Sequence, residues 1–153
     1  MNEIITIKRI DLQEKLNEFF SIKPEHVFLM DLVPHGETTI FEMYPENEYS
    51  NKHSFATYLD NIFVQPKENE YGVTKYTAEK IQDFVFYIRN LKLDREKRLI
   101  IACENGRNVS GAVALWAMDW LMGDQEEEKL YALNPDMRPN EDILRDLYIY
   151  PLI

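Results

Sequence analysis

Residues 98–122 constrain the fold more than any other stretch: RLIIAC, then ENGRN, then VSGAVALWAMDWLM. RLIIA at 98–102 is a nearly continuous apolar run between charged residues and a loop, the pattern of a strand covered on both faces. Such a strand belongs to a sheet with helices above and below it. Ser110 to Met122 supplies a mostly apolar helix directly afterwards. The expected fold is therefore α/β, with a central, mainly parallel sheet flanked by helices and Cys103 at the carboxyl end of a central strand.

The rest of the chain fits that class. KRIDLQEKLNEFF at 8–20 spaces Ile10, Leu12, Leu16, Phe19 and Phe20 mostly three to four apart, as an amphipathic helix requires. HVFLMDLV at 26–33 is an apolar run ended by Pro34 and Gly36, hence a buried strand, and TIFEMY at 39–44 and NIFVQP at 61–66 are two further strand candidates. TAEKIQDFVFYIRNLK sets Ile81, Phe84, Val85 and Ile88 on one helical face, with Thr77 as the expected N-cap. The acidic run from Asp124 to Glu128 reads as a solvated turn or helix face. In LNPDMRPNEDILRDLYIY, two Xaa-Pro breaks precede Asn140, which is expected to cap a last helix through Leu147. With no repeat, low-complexity stretch or linker, residues 1–153 read as one domain.

Composition narrows the function classes. Hydrophobic residues make up 45% and charged residues 29%, which suits a globular protein rather than a disordered one. No apolar stretch approaches the roughly 18 residues of a membrane span, and Glu3, Lys8 and Arg9 occupy the region where a signal peptide would be apolar. A cytoplasmic location is expected. The net charge of -10 repels nucleic acid and anionic lipid surfaces, so neither is expected as a partner. Cys103 is the only cysteine, and His26, His35 and His53 lack metal-ligand spacing, so neither a disulfide, a metal site nor a cofactor is expected.

A strand that ends in a cysteine and turns into a helix aims the free amides of the helix N-terminus back at the thiol. Such amides bind anions and favour a thiolate over a thiol. Gly106 supplies the backbone torsions and close approach that this cradle needs. A buried structural cysteine beside a strand-helix turn has the same spacing, so spacing alone leaves both readings open.

The loop resembles that of the cysteine-dependent protein tyrosine and dual-specificity phosphatases, which reads His-Cys, five residues, Arg, then Ser or Thr. Here Ala102-Cys103, Glu104, Asn105, Gly106, Arg107 and Asn108, then Val109 and Ser110 fall in that frame. GAVALWAMDWLMG is similar to the family's following helix, YTAEKIQDFVFYI to its preceding helix, and NPDMRPNEDIL to a C-terminal segment of bacterial-type members. The likeness runs over about residues 60 to 148. It implies a phosphate-binding loop from Glu104 to Val109, with Cys103 as nucleophile and Ser110 beside it.

The departures from the family pattern bear on catalysis. Val109 stands where the family has the arginine that grips two phosphoryl oxygens, and Ala102 where it has the histidine. Counting back from Thr77, the family's general-acid stretch falls on Phe63, Val64 and Gln65, so Gln65 stands at the acid position, with Asp60 nearby. Losing one preorganised anion contact costs about 10²- to 10³-fold in rate, and losing a general acid about 10²- to 10⁴-fold. The expectation is a catalytically impaired phosphatase-like protein that binds a phosphorylated ligand or a protein partner. The alternative is an active phosphatase that uses Arg107 or a distant arginine such as Arg138. A third reading follows from Cys103-Glu-Asn-Gly-Arg107-Asn108, which also resembles the loop of one arsenate reductase type, although there the cysteine follows the first strand.

Overall fold

The computed structural model describes residues 3–20, 27–33, 54–58, 75–91, 97–123 and 125–150. Among these residues, four strands form one sheet: β1 (Glu3–Lys8), β2 (Val27–Val33), β3 (Ser54–Tyr58) and β4 (Arg98–Cys103), in the order β1-β4-β2-β3. Every neighbouring pair is parallel. In register, Cys103 pairs with Lys8, and Ala102 with both Ile7 and Asp31.

Among the described residues, five helices accompany the sheet: α1 (Arg9–Phe20), α2 (Lys75–Asn90), α3 (Val109–Leu121), α4 (Glu127–Leu133) and α5 (Glu141–Ile149). From β1 to β2 the chain crosses two positions in one direction, and from β3 to β4 it crosses two positions back. Right-handed crossovers in opposite directions place their helices on opposite faces. Accordingly, Leu12 of α1 joins Ile7, Val27, Leu29, Ile100 and Ala102 on one face. On the other, Ile4, Phe28, Met30, Leu32, Leu99, Ile101 and Cys103 pack with residues of α2, α3 and α5.

The alternation along β4 explains this arrangement: Ile100 and Ala102 face α1, while Leu99, Ile101 and Cys103 face α3. The strand is thus covered on both sides, as its unbroken apolar run requires. Helix α3 is buried at ten of its thirteen positions, because it is enclosed by the sheet, α2 and α5. On its outer side Arg89 stacks over the rings of Phe86 and Trp120 at 5.9 and 5.4 Å.

The face toward α1 carries the Arg9–Asp31 ion pair. Asp31 is fully buried, and Arg9 grips it through two bonds, Nε to Oδ1 at 2.7 Å and Nη2 to Oδ2 at 3.2 Å. The planar guanidinium matches both carboxylate oxygens, which is how a carboxylate is kept in an interior strand.

Several elements differ from the sequence-based expectations. Helix α2 starts at Lys75, and Thr77, only 3% exposed, packs within its first turn instead of capping it. Thr77 is buried with Ala78 and Ile81, on the inward face of the helix. Strands β1 and β3 and helix α4 were not expected. The acidic run leads into α4, which buries Leu130 and exposes Glu127 and Glu128. The strand candidates at 39–44 and 61–66 lie outside the described residues, as do the three histidines. Asn140 caps α5 as expected, its side-chain oxygen accepting the N–H groups of Asp142 and Ile143 at 3.0 Å each. Among the described residues, no helix is long and apolar enough to cross a membrane.

Candidate functional site

Cys103 is the last residue of β4, and β4 lies between β1 and β2. The thiol therefore sits at the carboxyl end of an interior strand, where parallel α/β sheets present their crevice. Residues 104–108 turn the chain, and α3 begins at Val109.

Gly106 makes this tight turn feasible. Its φ is +65°, in the left-handed region. A Cβ there would lie 2.5 Å from the Lys8 nitrogen and 2.7 Å from the Ile7 carbonyl carbon. The loop thus rests directly on the backbone at the end of β1, leaving room for no side chain.

The sulfur of Cys103 is held from two sides. It accepts the Ser110 N–H at 3.3 Å and lies 3.1 Å from Ser110 Oγ. Asn105 Oδ1, at 3.6 Å, is a second acceptor for the single thiol proton. Ser110 is fully buried and Cys103 is 1% exposed, so this contact is screened from solvent. The α3 N-terminus thereby directs a main-chain amide at sulfur, the arrangement that the spacing suggested.

Asn105 organises the rest of the loop. Its Oδ1 accepts the Arg107 N–H at 2.9 Å and the Asn108 N–H at 3.1 Å. A carboxamide oxygen thus occupies two loop amides beside the thiol. Asn108 is the residue preceding α3; its side chain makes no capping bond, and its carbonyl accepts the Ala112 N–H at 3.1 Å.

The remaining candidates are placed as follows. Val109 is 9% exposed and belongs to the core shared by α2, α3 and the sheet. Glu104 and Arg107 are exposed. Arg138 is also exposed, and its Nη1 donates to the carbonyls of Met137 at 2.7 Å and Pro135 at 3.3 Å, within its own turn. Gln65, Phe63, Val64 and Asp60 lie outside the described residues. Among the described residues, no group of three or more histidine, cysteine or acidic side chains could hold a metal ion.

Sequence reasoning passed over one participant. The main-chain N–H groups of Arg138 and Asn140 donate to the carbonyls of Arg107 and Asn108 at 3.0 and 2.9 Å. They close the outer side of the loop. The available signal was the pair of prolines at 135 and 139, which prevents a helix there but does not reveal where the intervening amides point.

No family model matches the chain, and no curated protein matches it by sequence. Among solved structures, it is similar to a leucine-rich repeat and phosphatase domain containing protein from Entamoeba histolytica. The identity is 13% and the TM-score 0.51, over 98% of this chain and 86% of that one. A likeness at that identity is one of fold, and with the parallel sheet and its flanking helices it gives this chain a phosphatase-like α/β architecture.

Proposed function

We propose that this chain is a catalytically impaired phosphatase-fold protein, a pseudophosphatase, that acts by binding a phosphorylated ligand or a protein partner. The observation that carries the reading is the occupation of the loop's amides by Asn105. Phosphoryl transfer requires donors aimed at the developing charge, and here the Arg107 and Asn108 amides face a neutral side-chain oxygen. Val109 adds to this, since its apolar side chain joins the core at the position of the family's arginine. The retained Cys103, Gly106 and Ser110 keep the loop's frame.

The alternative, an active enzyme that recruits Arg107 or Arg138, finds less support. Arg138 is engaged with the carbonyls of its own turn, and Arg107 is exposed.

Calorimetric titration with inorganic phosphate tests the reading. Wild-type protein should bind weakly, and Val109→Arg should bind about tenfold to a hundredfold more tightly, the effect of adding one charge-assisted contact of about 1.5–3 kcal/mol. Tight wild-type binding that Arg107→Ala abolishes would favour the alternative.

A further inference from the structure

Asn134 ends α4 and is 5% exposed, yet its side chain makes four contacts. Oδ1 accepts the Thr6 N–H at 2.8 Å and lies 3.4 Å from Thr6 Oγ1. Nδ2 donates to the carbonyls of Ile4 at 2.8 Å and Leu130 at 3.0 Å. In a parallel ladder, one residue donates to the carbonyl before its partner and accepts from the N–H after it. The Asn134 carboxamide does this around Ile5, on the side of β1 away from β4. It completes the outer edge of the sheet as a fifth strand would.

From this anchor the chain turns at 135–136 and continues to the loop. The Met137 N–H donates to the Asn134 carbonyl at 3.1 Å, and Met137 is 1% exposed. A Cβ on Gly111 would lie 2.8 Å from Met137 Cγ and 3.3 Å from Pro139 Cα, so the segment rests on the first turn of α3. Arg138 and Asn140 then donate their main-chain N–H groups to Arg107 and Asn108. Because a trans peptide points its C=O and N–H in opposite directions, holding the Arg107 carbonyl outward turns the Asn108 N–H inward, onto Asn105 Oδ1.

We propose that residues 134–140 form a brace that sets which way the amides of the Cys103–Ser110 loop face, and that Asn134 is the positioning residue that fixes this brace to β1. The assignment rests on reading Cys103–Ser110 as the functional loop, and its test involves no phosphate, so it can fail separately from that reading.

The test is amide hydrogen exchange together with iodoacetamide labelling of Cys103, in wild type and Asn134→Ala. Exchange at Thr6 and Asn108, and labelling of Cys103, should each accelerate at least tenfold beyond any change at Val85, a buried α2 amide that reports global opening. Acceleration at Thr6 with Asn108 and Cys103 within twofold of wild type would overturn the proposal, because a merely local role for Asn134 gives that pattern. If Asn134→Ala does not fold, native-state exchange of the wild type in low urea decides: Thr6 and Asn108 should exchange through one shared opening below that of Val85. Separate openings, or exchange of both only together with Val85, would overturn it.

Discussion

Asn105 Oδ1 lies 2.9 Å from the Arg107 main-chain nitrogen and 3.6 Å from the Cys103 sulfur, so one neutral oxygen links the loop's amides to its thiol. An anion bound beside the thiol would compete with that oxygen for the same donors. Asn105→Ala removes the competitor. In a Val109→Arg background it should tighten inorganic phosphate binding about tenfold further, as charge-assisted bonds replace neutral ones. Unchanged affinity on titration would mean that these amides do not face the anion.

Gly106 carries a second expectation. Gly106→Ala meets both a left-handed torsion and a backbone contact of 2.5 Å. The combined cost should be about 2–5 kcal/mol in urea unfolding, from about 1–2 for the torsion and 1–3 for overpacking. A cost below about 1 kcal/mol would show that the loop moves readily off β1.

The Arg9–Asp31 pair should behave as a buried ion pair. Arg9→Met removes the guanidinium from a fully buried carboxylate and should cost about 3–5 kcal/mol, whereas Arg9→Met with Asp31→Leu should recover more than half of that loss. Equilibrium unfolding of the single and double variants measures both. Additive losses would indicate that the two side chains contribute independently.

Tyr148 donates its hydroxyl to Asp119 Oδ2 at 2.9 Å, joining α5 to α3. Tyr148 is 56% exposed; the partial burial of its ring first, then this bond and the negative charges of Asp119 and Glu127, push its phenol up to about 12 from an ordinary 10.0. The folded state therefore holds this proton more tightly than the unfolded state does. The resulting stabilisation is fully present below pH 10 and is lost as the pH rises toward 12. A difference absorbance titration of wild type against Tyr148→Phe should show this midpoint, and Asp119→Asn should lower it. An ordinary midpoint in the wild type would contradict the assignment.

The strand-loop-helix unit was legible because three signals coincide: an unbroken apolar run, a glycine where the turn needs one, and an apolar helix. Strand β1 was less so. Its Glu3 and Lys8 ends frame only four residues, and Ile4 and Ile7 serve different faces of the sheet. Helix α4 reads as solvated charge because Leu130 is its one buried side chain. At the site, residue types pointed to a cysteine-centred loop ahead of an apolar helix. They did not show that Asn105 would take up the loop's amides or that Asn134 would pair with an edge strand. The second depends on long-range placement, since Asn134 lies 128 residues from Thr6; the first is local, an Asn oxygen turning onto amides two and three residues ahead, and residue type alone leaves open whether the side chain folds back in this way.

The most direct test of the central claim is the rate at which purified wild-type protein hydrolyses a small aryl phosphate, measured beside Cys103→Ser. With Val109 packed in the core and the loop amides engaged by Asn105, the proposal makes the two rates indistinguishable. Robust wild-type turnover that Cys103→Ser abolishes would contradict the impaired-enzyme account and make Arg107 the first residue to examine as the missing cation.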